Sequence, residues 1–175
     1  MFDTSSHFYL VQIRKNKLSD SLASEEYIYK FFMKNNLCRV KYLVNFIVYP
    51  NQLIRIDFYP KINSDNKYRL LTNQFKFGTI GGTLLKIMND FTYRTGINTF
   101  GMLCAQTLKE MQMEQNHNTK RLKVYKGVLS RTLDPTVYSI YENSTFSTIF
   151  VIPNIRLNDK KDIILYYGKI FEENH

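Results

Sequence analysis

The sequence contains no tryptophan, two cysteines and three histidines among its 175 residues. The histidines, His7, His117 and His175, are scattered without the spacing of metal ligands, so no metal cofactor is expected. Cys38 and Cys104 stand in apolar, strand-like segments. Because intracellular chains rarely use disulfides, both are predicted to be buried free thiols.

Long apolar runs are also missing. No segment approaches the roughly 20 continuous apolar residues of a membrane span. The first residues, Met1 to His7, show no basic lead followed by an apolar run, so a secretory signal is not expected. We therefore expect a cytoplasmic protein. The chain has no internal repeat, low-complexity tract or linker. Residues 1–175 are therefore predicted to form a single domain.

Positive charge is abundant. The formal net charge is +9 and the hydrophobic fraction is 44%, enough for a sizeable core. One interpretation is an anionic partner, such as nucleic acid, a phosphorylated cofactor or an acidic protein. The other is that the many Lys, Asn and Ile residues reflect biased codon usage. Composition leaves both open.

The first half of the chain is rich in alternating apolar residues. Residues 7–14 read as a strand, and 38–60 as an antiparallel hairpin with a turn at Pro50-Asn51. A third meander strand is predicted over 67–73. Between the first strand and the hairpin, an apolar stripe at helical spacing and capping residues at Ser19 to Ser21 predict a helix over 19–35.

The second half alternates helices and strands. A helix is predicted from the glycines near residue 80 to Gly96, followed by a buried strand over 97–104. A further helix ends near Asp134, a hairpin spans 137–152, and the apolar segment 163–167 suggests an added strand. The predicted fold class is α/β (α+β), with a mixed, mostly antiparallel central sheet and helices on both faces.

The segment Ile80-Gly81-Gly82-Thr83 is predicted to lie where a strand leads into a helix. Free backbone N–H groups and the helix dipole bind anions at such a position, and glycine permits close approach of a ligand. Neither the P-loop pattern nor GxGxxG is present. A simple tight turn is the alternative interpretation.

A second motif places Asn118 seven residues before Tyr125. Asn118 is a reasonable N-cap for the helix that carries Tyr125. A phenol can protonate a departing thiolate, so Tyr125 is a candidate general acid. It also shares the apolar face of Leu122 and Leu129, which is typical of a core aromatic residue.

Basic residues surround this tyrosine: Lys120, Arg121, Lys123 and Lys126. They form either a solvated helix face or a site for phosphate, nucleic acid or an acidic protein.

Taken together, the order of elements from 7 to 152 resembles the GNAT acetyltransferase superfamily. Ile80-Gly81 and Leu84-Leu85 match the end of that family's R-G-x-G-I-G-x-x-L-L pattern, and Asn118 with Tyr125 matches its second motif. Phe77 and Thr79 stand where the pattern has glycines. Residues 153–175 lie beyond this core as a C-terminal extension.

The resemblance implies an acetyl-CoA-dependent N-acyltransferase. Ile80, Gly81, Gly82, Thr83 and Asn118 would bind the cofactor, and Tyr125 would protonate the thiolate. Strand 97–104 would run parallel to 67–73 and splay from it to admit the pantetheine arm. No acid lies in 68–73, where the family often has its general base, so Asp57 and Glu110 are the substitutes.

A looser resemblance leads to a different class of function. Small proteins of bacteriophages and other mobile elements share a helix-strand-helix-hairpin segment with basic residues and a tyrosine. This resemblance implies a non-catalytic binding protein, at work in a phage-infected bacterial host. Its partner would be a nucleic acid or an acidic host protein, bound through Lys120, Arg121, Lys123 and Lys126.

Overall fold

The structure, a computed structural model, describes residues 5–15, 18, 22–34, 39–62, 77–106, 110, 112–113 and 119–173. The strands and helices in these ranges are β1 (Phe8–Arg14), β2 (Glu25–Lys34), β3 (Arg39–Tyr49), β4 (Leu53–Pro60), α1 (Phe77–Thr95), β5 (Thr99–Leu103), α2 (Lys120–Thr132), β6 (Tyr138–Asn143), β7 (Thr148–Pro153) and α3 (Lys160–Glu173). Short 3-10 turns precede β4 and α3.

The strands form a seven-stranded sheet in the order β1-β2-β3-β4-β5-β7-β6. Every neighbouring pair is antiparallel except β4 and β5, which run parallel. Helices α1 and α2 pack on one face and α3 on the other. The predicted class, a mixed and mostly antiparallel sheet with helices on both faces, is confirmed.

Several local predictions are confirmed. β1 and the hairpins β3–β4 and β6–β7 lie where the alternating patterns predict them. The turn between β3 and β4 uses positive φ values at Asn51 and Gln52. Gly96 ends α1 with a φ of 74°, a conformation that glycine adopts without steric cost.

The prediction of a helix over 19–35 is wrong, because the described part of this segment contains strand β2. Its stripe of Ile28 and neighbouring residues fits a helical period, but Tyr29, Phe31 and Met33 also alternate with period two. In the strand these three side chains enter one core together. β2 pairs along its length with β3 and also with β1, and those two ladders outweigh local helix signals.

The prediction of an added strand over 163–167 is also wrong. This segment belongs to α3, in which Ile163, Tyr167 and Ile170 follow at intervals of four and three residues and are buried against the sheet. A short apolar run is compatible with either structure, and here the helical spacing continues beyond it.

The predicted neighbour of strand 97–104 is corrected as well. β5 lies between β4 and β7, so its parallel partner is 53–60 rather than 67–73. Residues 67–73 lie outside the described residues.

Two cores result, one on each face of the sheet. In the first, the Phe46 and Phe91 rings stack with centroids 4.8 Å apart beneath α1 and α2. In the second, Tyr167 and Phe171 of α3 stack at 5.8 Å. Large aromatic side chains dominate both, as expected for the residues that bury most area. The predicted C-terminal extension is thus packed against the sheet through α3.

Candidate functional site

The parallel strands β4 and β5 are paired over a short distance and then separate. Leu53, Ile54 and Arg55 pair with Thr99, Phe100 and Gly101. Beyond Arg55, β4 continues beside β3 to Pro60, and β5 continues beside β7 to Leu103. The sheet therefore opens between the carboxyl ends of two parallel strands, a usual place for binding sites in α/β proteins.

Residues in the short paired stretch of β4 and β5 contact Tyr167 of α3. Its hydroxyl oxygen lies 2.8 Å from the carbonyl oxygen of Ile54 and 3.0 Å from that of Thr99, two acceptors that share its single proton, and it accepts from the N–H of Ile54 (3.1 Å). The ring lies against Gly101, where a Cβ atom would be 2.5 Å from Cε1 of the tyrosine. One side chain thus joins both strands at the point where they part, and glycine makes room for it.

A cleft begins at this opening, on the face of α1 and α2; we call it the interstrand cleft. Its volume is about 90 Å³, so a ligand as long as coenzyme A would have only part of its length inside. The apolar side chains that line it are Phe46, Ile56, Phe58, Ile80, Leu84, Leu85, Met88, Met102, Leu103, Ala105, Val124, Val128 and Leu129.

Asp57, Arg121 and Tyr125 also line the interstrand cleft. By strand alternation Asp57 belongs to the α3 face with Arg55, whose Nη2 donates to its Oδ2 at 3.2 Å. The structure therefore brings two candidates for catalysis, Asp57 and Tyr125, to the lining of one cleft.

The electrostatics of Tyr125 favour its protonated form. Burial raises the pKa of the phenol to about 12, and the positive charge of Arg121 opposes part of that increase. The hydroxyl thus carries its proton at neutral pH, as a general acid must.

Cys104, at the end of β5, is a buried free cysteine as predicted. Burial raises the pKa of its thiol to about 12, which keeps it in the unreactive thiol form at neutral pH. Cys38 lies outside the described residues.

The glycine segment 80–83 lies inside α1, so the prediction of a turn between a strand and a helix is wrong. Helical geometry bonds the N–H of each residue to the carbonyl four positions earlier. The N–H groups of Gly81, Gly82 and Thr83 are therefore bonded within the helix, to the carbonyl groups of residues 77–79. Apolar residues at helical spacing extend from Ile80 to Ile87, which allows the helix to include Gly81 and Gly82.

Members of this segment differ in access to the cleft. Ile80 and Gly81 line it. Thr83 is fully buried elsewhere, and its hydroxyl donates to the Thr79 carbonyl (2.6 Å) and accepts from the N–H of Ser6 (2.8 Å). Thr83 thus ties α1 to the residues before β1.

The N-cap of α2 is Thr119, so the prediction that Asn118 caps this helix is wrong. The Thr119 hydroxyl accepts from the N–H of Leu122 (3.3 Å) and donates to the carbonyl of Cys104 (2.9 Å). Either residue type can cap a helix, and the threonine also satisfies the end of β5. Asn118 lies outside the described residues.

Glu110 is buried at the same end of α2. Its Oε1 accepts from the backbone N–H of Lys120 at 2.7 Å, and a carboxylate there also complements the helix dipole. Glu110 does not line the interstrand cleft, so the structure separates it from Asp57 and Tyr125.

The basic residues of α2 divide into three environments. Lys120 and Lys123 are exposed, and Arg121 is half-buried on the wall of the cleft. Lys126 makes an ion pair with Glu142 of β6, with 2.6 Å between Nζ and Oε1.

Sequence reasoning missed the role of Tyr167 and most of the cleft lining. The extent of pairing between β4 and β5, which are separated by a helix, leaves no trace in local periodicity. An apolar position that lines a cleft also has the same pattern as one in a closed core.

A scan against protein-family models, a search of the curated proteins and a search of the solved structures each found no match to this chain. No helix among the described residues combines the length and apolar character that crossing a bilayer would require.

Proposed function

We propose that the interstrand cleft binds the acyl-pantetheine part of acetyl-CoA, and that the protein is a divergent, GNAT-like N-acyltransferase. The observation that carries the proposal is the separation of β4 and β5 beyond Arg55 and Gly101. It produces a narrow apolar opening with a protonated phenol on its wall. A thin, extended ligand with an electrophilic end fits such a site.

The backbone supports this ligand class. Beyond their last paired residues, β4 and β5 no longer pair with each other, which leaves a gap between the two strands. The pantetheine arm carries amide groups that would lie between the two strands as a short substitute strand. At the other end, the first-turn N–H groups of α1, next to Ile80 and Gly81, would bind the pyrophosphate. Arg121 adds a positive charge on the facing wall.

The chemistry requires few groups. The nitrogen of an acceptor amine attacks the thioester carbonyl carbon, the N–C bond forms and the C–S bond breaks. Asp57 takes the proton that the nitrogen loses and passes it to water. Tyr125 protonates the departing thiolate and regains a proton from water. Positioning the two reactants is the main contribution of the protein, because direct transfer needs no covalent enzyme intermediate.

A second candidate is a non-catalytic binding protein for a nucleic acid or an acidic protein. The exposure of Lys120 and Lys123 on one side of α2 favours it. Basic side chains in this arrangement contact phosphates without sequence specificity.

The experiment for the first proposal is a thermal-unfolding titration with acetyl-CoA. A ligand at about 100 times its Kd adds about 2.7 kcal/mol to the free energy of unfolding. For a chain of this size that corresponds to a rise in Tm of about 5–10 °C.

Two glycine variants make the titration specific to the cleft. Gly81→Val adds an isopropyl group to the cleft wall and should abolish the rise in Tm. Gly127→Val is the matched control, because it alters a glycine of α2 whose added Cβ has no heavy atom within 4 Å. It should retain the rise. An equal rise in all three proteins, or none in the wild type at millimolar acetyl-CoA, would contradict the proposal.

A further inference from the structure

A group of basic residues lies on the α3 face of the sheet, at the end of the strands that α3 does not cover. α3 packs over Ile47 and Leu53, at the end of β3 and the start of β4. By strand alternation the same face continues to the opposite ends of these strands and to β2. The basic residues there, each partly or fully exposed, are Lys30, Lys34, Arg39, Lys41 and Lys61; with the rings of Tyr9 and Phe32 beside them, we call them the basic sheet face.

Strand pairing brings the positive charges of the basic sheet face close together. Lys30 lies opposite Leu43, so Lys41 is its diagonal neighbour on the same face. The N–H of Lys61 donates to the carbonyl of Lys41 at 2.7 Å, which places these two residues side by side. Within the described part of the chain, no ion pair joins Lys30, Lys41 or Lys61 to a carboxylate.

These three lysines repel one another. Desolvation lowers the pKa of the Lys41 ammonium group, and the positive charges of Lys61 and Lys30 lower it further. Neighbouring like charges on a sheet are destabilising. An anionic partner that lies across the three lysines would offset this repulsion, so its charge complements the surface.

The carboxylates on this side of the sheet lie further along the strands and already have partners. Oδ2 of Asp57 accepts from Arg55 at 3.2 Å, and Oε2 of Glu26 accepts from Arg14 at 3.4 Å. They therefore compensate neighbouring arginines, and the charge of the basic sheet face is left for a partner outside the chain.

Aromatic rings lie among these charges. Tyr9 is opposite Lys30 in the neighbouring strand, is 48% exposed, and has its ring centroid 5.5 Å from the Lys30 Nζ. The guanidinium carbon of Arg39 lies 3.8 Å from the ring centroid of Phe32. Unpaired bases stack on exposed rings and on guanidinium planes, while lysines contact the phosphates. An acidic protein would use only the charges, so the rings favour a nucleic acid.

We propose that the basic sheet face binds a single-stranded nucleic acid. Lys30, Lys41 and Lys61 contact its phosphates, and Tyr9 stacks on an unpaired base. A duplex keeps its bases stacked on one another and would offer this surface its phosphates alone.

The basic sheet face is distinct from the interstrand cleft and from the exposed lysines of α2. Both of those lie on the opposite face of the sheet. Binding here therefore does not depend on the proposed transferase activity, and it uses a different surface from Lys120 and Lys123.

Fluorescence anisotropy with a labelled oligothymidylate of about 12 nucleotides tests the charges, because this strand cannot pair with itself. The double change Lys30→Gln and Lys41→Gln should weaken binding about 10-fold or more at low salt. It should also reduce the slope of log K against log salt by about 1.4, since each lost phosphate contact removes about 0.7. The control, Lys161→Gln with Lys169→Gln, changes net charge equally at exposed positions of α3 and should weaken binding less than about 3-fold.

Tyr9→Leu tests stacking without a change of charge. Loss of one stacked base should weaken binding about 5-fold or more and leave the salt slope unchanged. Tyr93→Leu, the matched control, removes a ring of α1 that is 91% exposed and should bind as the wild type does. A duplex of the same length should bind more weakly than the single strand.

Absence of oligothymidylate binding at low salt would overturn the proposal, and so would equal losses in the two double variants, which would attribute binding to net charge. A loss with Lys120→Gln and Lys123→Gln, but not with Lys30→Gln and Lys41→Gln, would overturn it in favour of α2. Binding of the duplex as tight as that of the single strand would overturn the single-stranded partner. Tyr9→Leu keeps every lysine in place, so an unchanged affinity of this variant overturns the stacking contact even if the lysine variants do not fold.

Discussion

At the scale of single residues, Tyr125 shows what spacing can and cannot establish. Its place on the apolar face of α2 fits a core aromatic residue, and its distance from Asn118 fits a general acid. The structure places the ring beside the first core and also on the wall of the interstrand cleft. Whether such a position borders an opening depends on β4 and β5, which are remote in sequence.

We predict that Tyr125→Phe lowers acetyl transfer by about 100-fold, the low end of a general acid's usual contribution. Affinity for acetyl-CoA should be nearly unchanged, because the ring remains in place. Steady-state kinetics and calorimetry measure the two quantities. Since the raised pKa of about 12 keeps the phenol protonated below that pH, the wild-type rate should show no decrease caused by Tyr125 between pH 6 and 10.

The matched control is Tyr93→Phe, which removes the hydroxyl of a tyrosine of α1 that is 91% exposed. It should leave kinetics and binding unchanged. Equal kinetics for Tyr125→Phe and wild type would remove the phenol from the mechanism.

At the scale of elements, secondary structure could be predicted correctly where the apolar residues fit only one period, that of a strand or that of a helix. β3 and β4 each carry an apolar residue at every second position and are joined by a turn, so the hairpin could be predicted from local sequence. In β2, aromatic residues satisfy a helical stripe and a strand alternation at once, and pairing with β1 and β3 decides between them. In α3 the apolar run was too short to distinguish the two structures.

We predict that Tyr167→Phe lowers the free energy of unfolding by about 1–3 kcal/mol. The change deletes a buried hydroxyl that bonds to backbone groups of Ile54 and Thr99 and leaves those groups to find other partners. Urea denaturation measures the effect. Tyr166→Phe, on the same helix, removes a hydroxyl that makes none of these bonds and should cost much less. Equal losses would contradict the role of Tyr167 at the junction of β4 and β5.

The exposed basic residues of α2 give a third prediction, for the binding-protein candidate. If Lys120 and Lys123 contact phosphates, a gel shift with a single-stranded oligonucleotide should show binding at low salt that decreases steeply as salt increases. The double change of both lysines to glutamate should abolish it.

Lys161 and Lys169, exposed on α3, provide a control with the same change in net charge. Their replacement by glutamate should leave most of the binding. Absence of a shift with the wild type at low salt would remove nucleic acid as a partner, and equal losses in both double variants would attribute binding to net charge alone.

At the scale of the whole molecule, one sheet carries a core on each face, and its pairing between β4 and β5 ends after Arg55 and Gly101. The class of fold could be predicted because the sheet is built mainly from segments with clear alternation. The interstrand cleft could be anticipated only through a family resemblance. That resemblance predicted the wrong parallel neighbour for strand 97–104, which is 53–60 and not 67–73. The length over which two parallel strands remain paired depends on contacts such as those of Tyr167 and Gly101, which join distant parts of the chain.

The most direct test of the donor site is an NMR titration of protein labelled with ¹³C at the methionine methyl groups. Met88 and Met102 line the interstrand cleft from α1 and β5, whereas Met113 is exposed elsewhere. On addition of acetyl-CoA, the methyl resonances of Met88 and Met102 should shift in a saturable manner, and that of Met113 should not. Assignment uses single Met→Leu variants. Unchanged Met88 and Met102 resonances at millimolar acetyl-CoA would contradict the account.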